Sequence, residues 1–233
     1  EHFVLVNKEH VPQISLGPEE IGDALSFIQE FDGKHLFFNG PGASIVGHMH
    51  FQGLFMKLPI ESAKTKVIAR RGAVTVGEVL DWPAIAFVLE SEDKAALVRE
   101  TAAFVDFLKE KHVMKEEMPD NLSFDLLFTS EKENLRVYVI PRSRKNPTGV
   151  WQNIPYGVPQ TCGLGFVFNE ETELALIDPA KVSQEQAVAV VEQAMTEVGY
   201  SQRREISYIY QYLTRPSEGQ ADKNKKSGLR KLN

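Results

Sequence analysis

The sequence predicts an α+β fold in which antiparallel sheet is covered by packed helices. Three observations carry this. Short apolar or alternating runs occur in pairs, as in Phe124 to Thr129 and Leu135 to Ile140, joined by a polar Ser130-Glu131-Lys132-Glu133-Asn134 that suits a hairpin loop. Helical periodicity appears in separate blocks, near residues 19–31, 93–111, 183–198 and 203–213. The chain of 233 residues is 42% apolar and 25% charged, enough for a sizeable core, and this excludes collagenous, low-complexity and wholly disordered readings.

Each element has a local reason. Phe3-Val4-Leu5-Val6 is an apolar strand that stops at Asn7-Lys8-Glu9, and Pro12 and Gly17-Pro18 punctuate the stretch after it. Glu19 and Glu20 then place acids in the first turn of a helix, beside the positive end of its dipole. Ile21, Leu25 and Ile28 repeat at helical spacing to about Phe31, where Asp32-Gly33 ends the element. A short strand, Leu36 to Phe38, runs into the turn Asn39-Gly40-Pro41-Gly42-Ala43-Ser44, and the next strand is expected over about 47–56. Residues 57–90 read as short strands and turns. A second helix carries Ala96, Val98, Ala102, Val105 and Leu108 from Asp93 to about Lys111, and Pro119-Asp120-Asn121 breaks the chain.

After the hairpin, residues 141–161 read as a polar loop and Gly165 to Phe168 as a strand. Ser183 is expected to cap a helix reaching about Val198, with Gln186 at the capping-box position. A last helix is expected from Arg203 to Leu213. Beyond Pro216 the chain is basic and almost without apolar residues, as in a frayed tail. These breaks divide the sequence into 1–118, a second α+β half at 119–215, and the tail 216–233. The two halves share an outline of strand hairpins leading to a helix, which allows them to be related.

Charge and composition limit the function. A net charge of −6 and a pI near 5.6 argue against binding long nucleic acid, which needs an excess of Lys and Arg, but leave room for a small phosphate-bearing ligand. No apolar run is long enough to span a membrane, and Glu1-His2-Phe3-Val4 shows no signal peptide. An opening without Met reads as that of a processed or truncated piece. A single cysteine, Cys162, excludes an internal disulfide and fits a reducing cytoplasm, with the thiol itself read as a small buried group.

The most informative stretch is Gly47-His48-Met49-His50-Phe51-Gln52. Side chains alternate along a strand, so His48, His50 and Gln52 fall on one face, and Met49 and Phe51 on the other, toward a core. A neutral imidazole is a nucleophile, a base or a metal ligand. From spacing alone three readings stand: a structural or surface pair, nucleophilic or acid–base chemistry, and half of a metal site. His2, His10, His35 and His112 have no spacing that would complete tetrahedral zinc.

The preceding turn has two readings as well. Gly40, Gly42 and Ser44 could offer backbone N–H groups and a hydroxyl to a phosphate, or the glycines could serve the turn alone. Asn39 binds a ribose or phosphate, or closes that turn. Arg142, Arg144 and Lys145 come after a strand and could hold a phosphate, or form a solvated basic loop. Lys64 and Lys66 read as surface residues. Trp82 and Trp151 read as packing residues, with Trp151 the better platform for a base.

Phe38-Asn39, Gly42-Ala43 and then His48-Met49-His50-Phe51-Gln52 resemble the active-site segment of the histidine-triad superfamily, in its His-x-His-x-Gln transferase branch. That branch contains galactose-1-phosphate uridylyltransferases, diadenosine tetraphosphate phosphorylases and GDP-hexose phosphorylases. His2 to His10 resembles the family's strand that begins with a histidine and ends in a basic turn. Phe124 to Thr129 with Val139 to Arg144 resembles the phosphorylases' second-half hairpin, and Pro59-Ile60-Glu61 resembles a segment of the GDP-hexose phosphorylases.

The resemblance implies a histidine-triad-like antiparallel sheet with packed helices. It implies His50 as the nucleophile that attacks an α-phosphorus and Gln52 as the amide that donates to a phosphoryl oxygen. It implies His48 as the residue that shapes the site and His2 as an orienting neighbour. The implied activity passes a nucleotidyl group from a nucleoside diphosphate sugar or dinucleoside polyphosphate to a phosphate or sugar-phosphate acceptor. Hydrolysis of small nucleotides, and nucleotide binding without turnover, are the alternatives. No cofactor is implied, and a homodimer is left open. Asp125 stands where the phosphorylases tend to carry an amide. The cysteines that hold a structural metal in some uridylyltransferases are absent, so no metal is expected.

Overall fold

The computed structural model describes residues 2–31, 33–40, 45–113, 122–143, 157–163, 183–199 and 207–216. Eight strands form one antiparallel sheet: β1 (His2–Val6), β2 (His35–Asn39), β3 (His50–Leu54), β4 (Thr65–Arg71), β5 (Val74–Val79), β6 (Phe87–Ser91), β7 (Leu122–Glu131) and β8 (Asn134–Ser143). Their spatial order is β1-β3-β2-β7-β8-β6-β5-β4. The β7–β8 hairpin enters the middle of the sheet, with β7 against β2 and β8 against β6. Residues on both sides of position 118 thus share one sheet.

Strand alternation sorts the apolar side chains onto two faces. Leu36 and Phe38 of β2, Leu126 and Phe128 of β7, Val137 and Val139 of β8, and Phe87 and Leu89 of β6 lie in the larger core. The helices α1 (Pro18–Glu30), α2 (Lys94–Val113) and α5 (Ser207–Thr214) complete that core with Ile21, Leu25, Ile28, Leu97, Phe104, Val105, Leu108, Ile209 and Leu213. Burying each Leu, Ile, Val, Met or Phe contributes roughly 1.5–3 kcal/mol, and the two dozen such groups buried here make this layer the main source of stability. On the opposite face Phe37, Leu54, Leu127, Tyr138 and Ile140 form a smaller core. It is covered by Leu58 and Ile60, around the 3-10 turn Pro59–Ser62, and by Val158 and Cys162, of and beside the short helix α3 (Val158–Thr161). That cover does not extend to β1, where Val4 and Val6 stay exposed. On this face the sheet is exposed along β1, while His50 of the neighbouring β3 is buried.

The helix termini form as their sequences require. Glu20 Oε2 accepts from the Gly17 N–H at 2.9 Å to start α1. Ser183 and Gln186 form the reciprocal capping box that opens α4 (Gln184–Val198), at 3.2 and 2.8 Å. Two expectations need correction. The strand expected over 47–56 is shorter, because the chain at Met49 bonds sideways to Val11 and Asn7 before β3 begins. His48 therefore lies outside the strand. The polar loop expected over 141–161 is corrected at both ends, since Pro141, Arg142 and Ser143 still pair in β8 and Val158–Thr161 form α3. The last helix covers Ser207–Thr214, and residues 203–206 of the expected helix lie outside the described residues. The strand expected near Gly165 lies outside the described residues. Among those residues, no helix is long and apolar enough to cross a membrane.

Candidate functional site

Register places the candidate residues. β3 lies between β1 and β2, with Val6 opposite His50, Val4 opposite Gln52 and His2 opposite Leu54 on one side, and Phe37 opposite Gln52 on the other. His50 and Gln52 therefore project on the smaller-core face next to the exposed strand β1, while Phe51 packs into the larger core. The alternation expected of these three residues is what the strand shows.

The histidines are held by carbonyls. His50 Nδ1 stands 2.9 Å from the His48 carbonyl oxygen. A carbonyl only accepts, so in the neutral ring Nδ1 carries the hydrogen and Nε2 keeps its lone pair. His48 Nε2 meets the Asn7 carbonyl oxygen at 2.8 Å, which anchors this ring to the end of β1. The ring of His10 lies on His48 with centroids 4.2 Å apart. His2 Nε2 is 3.0 Å from Gln52 Oε1. An amide oxygen also only accepts, so His2 donates, and the Gln52 amide N–H groups are left to donate elsewhere. His2 is thus joined to Gln52 and His48 to His50 along the outer strands of the sheet, with a directed lone pair on His50 and an oriented amide on Gln52.

The remaining candidates have other partners. Asn39 Oδ1 accepts from the Val158 N–H at 2.8 Å, fastening α3 to the end of β2. A Cβ on Gly157 would stand 2.2 Å from that oxygen, which explains a glycine there. A Cβ on Gly40 would stand 2.3 Å from the Phe124 carbonyl oxygen, so Gly40 has a backbone reason of its own. Arg142 is 1% exposed and its Nε lies 2.9 Å from Oδ2 of the fully buried Asp125. The solvated-loop reading of Arg142 is therefore corrected: its charge is matched inside the protein. Burial pushes the Asp125 carboxyl above its ordinary value, against the opposing pull of Arg142 and Thr161. Lys64 and Lys66 are exposed, and Trp82 packs beneath the smaller core with its Nε1 donating to the Thr161 carbonyl oxygen at 3.1 Å. Gly42, Ser44, Arg144, Lys145 and Trp151 lie outside the described residues.

Two solved structures share this architecture. Yeast Ap4A phosphorylase Apa2 in complex with AMP aligns over 86% of this chain and 68% of its own, with a TM-score of 0.59 at 19% identity. Apa2 in a second structure aligns over 85% and 68%, with a TM-score of 0.59 at 20% identity. The fold is histidine-triad-like. A DUF4931 family protein from Bacillus cereus aligns over 84% of this chain and 87% of its own at 15% identity and a TM-score of 0.40. In sequence, a domain of unknown function, DUF4922, matches residues 1–55. That stretch holds β1, β2 and β3 with His2, His48, His50 and Gln52. No curated protein matches the chain.

In this histidine-triad-like sheet the sequence signalled neither His10 nor Gln13. His10 lacks any motif spacing and reaches His48 only because the chain turns after β1. Gln13 is an isolated polar residue between Pro12 and Ile14, yet it is buried and bonded to His50. The cysteine is where a small buried thiol belongs. Burial, with Asp125 and Glu61 nearby, pushes the Cys162 thiol well above its ordinary value of 9.0. It therefore remains protonated and inert in the native protein, and a thiol reagent at pH 8 should react only at the rate of unfolding. As pH rises the unfolded thiol ionises first, so the stability held by Cys162 is intact below about pH 9 and lost above it. A native protein that reacts as fast as a free thiol contradicts this.

Proposed function

We propose that the chain is a nucleotidyltransferase of the phosphorylase type, working through a nucleotidyl-histidine on His50. One observation carries the reading: the His50 Nδ1 hydrogen is committed to the His48 carbonyl, and the ring shares one sheet face with Gln52 beside the exposed strand β1. In the first step the Nε2 lone pair forms a bond to the α-phosphorus of a bound nucleotide. The bond from that phosphorus to the bridging oxygen breaks, and the leaving phosphate or sugar phosphate takes the electron pair. The imidazole becomes cationic, and the His48 carbonyl receives the Nδ1 hydrogen bond that steadies this charge. Gln52 donates to a non-bridging oxygen as charge grows there, a contribution worth about 10²–10³ in rate for a well-placed donor.

In the second step an acceptor phosphate oxygen attacks the same phosphorus, and the nitrogen–phosphorus bond breaks with its electrons returning to Nε2. Gln52 has no acidic proton to give a leaving group. Departure is therefore easiest for phosphates, which leave as stable anions, and this favours phosphate-linked substrates. The fold shared with Apa2, and the AMP bound in one of its structures, support a nucleotide as the ligand.

Intact-protein mass spectrometry after incubation with UDP-glucose, a GDP-hexose, ADP or diadenosine tetraphosphate tests the reading. The expected result is a gain of one nucleoside monophosphate with one member of the panel, discharged on adding phosphate or a sugar phosphate. Absence of an adduct with every member, with nucleotide binding retained, overturns the covalent mechanism in favour of a binding module. An adduct discharged as fast by water as by phosphate makes the protein a hydrolase.

A further inference from the structure

Gln13 lies in the 3-10 turn Gln13–Ser15 that comes after β1, and it is 1% exposed. Its Nε2 donates to the Asn39 carbonyl oxygen at 2.8 Å and to the His50 carbonyl oxygen at 3.1 Å. Its Oε1 accepts from the His50 N–H at 3.0 Å. Its own main-chain N–H donates to the Val46 carbonyl oxygen at 2.9 Å. One residue therefore holds the chain at positions 39, 46 and 50.

The register explains why an amide is needed. β2 and β3 pair directly from His35–Leu54 to Phe37–Gln52. Continued by two residues, the same register would set Asn39 opposite His50. There the strands are joined through Gln13, whose side-chain amide offers the same donor and acceptor as a peptide group. Both backbone polar groups of His50 are thereby held by a side chain from another element. The His50 ring is held separately, by the carbonyl of His48.

We propose that Gln13 is a positioning residue for His50: its amide fixes the main chain of the nucleophile and so the place of Nε2 in the site. This rests on the reading of His50 as the nucleophile. Nothing but the buried amide supplies these bonds at His50 among the described residues, and its loss leaves two carbonyls and an N–H to be satisfied otherwise. A displacement of about 1 Å at a reacting atom costs on the order of 10²-fold in rate.

The test uses Gln13→Leu, which keeps the volume and removes every side-chain hydrogen bond, and Gln13→Glu, which keeps the acceptor but turns a bare oxygen toward two carbonyls. In Gln13→Leu the rate of adduct formation should fall about 10²-fold, with the apparent affinity for nucleotide changed by less than about threefold. In Gln13→Glu the rate relative to wild type should recover as pH is lowered from 8 to 5, because a protonated carboxyl regains a donor. Gln13→Leu should show no such recovery. Hydrogen exchange on peptides spanning 45–54 gives a readout independent of turnover: the His50 amide should exchange faster in both variants at pH 8, with the unfolding transition still cooperative. A folded Gln13→Leu with wild-type labelling and unchanged exchange at His50 overturns the proposal. Should Gln13→Leu not fold, the pH recovery of Gln13→Glu decides. Should the wild-type protein never be labelled, the nucleophile reading fails, and unchanged exchange at His50 then overturns the positioning role as well.

Discussion

His50→Ala is expected to abolish nucleotidyl labelling while the protein still folds. The ring lies beside the smaller core, 8% exposed, and is not among the described residues that make up that core. Its removal therefore sits among ordinary single substitutions, within about 1–2 kcal/mol of stability. The chemical loss is of another order. Without Nε2 there is no group to accept the nucleotidyl moiety, and turnover should fall on the order of 10⁴–10⁶-fold, as for other covalent nucleophiles. Neighbouring substitutions should form a graded series. Gln52→Ala removes a donor and should cost about 10²–10³-fold. His2→Ala leaves that donor present but no longer held, and should cost less than Gln52→Ala. Labelling by radioactive nucleotide in each variant, with digestion to locate the label, measures the series. A label that persists in His50→Ala places the nucleophile elsewhere. A His2→Ala loss larger than that of Gln52→Ala means that His2 acts on the substrate directly.

The part of this site that could be read in the sequence is the part that local periodicity encodes. Alternation set Met49 and Phe51 against His50 and Gln52, and the larger core contains Met49 and Phe51 as that pattern requires. It failed at His48, because periodicity says which side a residue takes in a strand but not where the strand begins. The start of β3 is set by bonds from Met49 to Val11 and Asn7, which lie some 40 residues earlier. Arg142 misled for a similar reason. A basic residue beside Pro141 and Ser143 has the local character of a loop, and its partner Asp125 lies across a hairpin. Once β7 and β8 pair with Asp125 opposite Ile140, the two charges meet on one face. Gln13 is the extreme case: its partners lie 26 and 37 residues away and are backbone groups, which no side-chain pattern records. The order of the strands was hidden as well. Adjacent elements in sequence suggested two halves, whereas the pairing of β7 with β2 depends on contacts between strands separated by some 90 residues.

The buried pair of Asp125 and Arg142 leads to the second large effect, and it is on stability. Both side chains are essentially sealed from solvent, at 0% and 1% exposure. Taking either charge out of water is costly, and their mutual attraction offsets that cost only while both are present. Arg142→Met leaves a fully buried carboxylate with only neutral donors, the Thr161 hydroxyl and the Gly40 backbone, and Asp125→Leu leaves a buried guanidinium with its charge unmatched. Each single substitution should destabilise the protein by about 3–5 kcal/mol, measured as a lower urea midpoint at constant slope. The double substitution Asp125→Leu with Arg142→Met removes both desolvation costs and fills similar volume, so it should be more stable than either single variant. If the pair contributes favourable energy beyond its desolvation, the double variant should be less stable than wild type; if it does not, the double variant should match or exceed it. Asp125 neighbours Asn39 in register, and Asn39 is gripped by Gln13 beside His50, so the single variants should also label more slowly than their folded fraction predicts. Labelling that tracks the folded fraction in every variant would confine the pair to stability and separate it from the site two strands away.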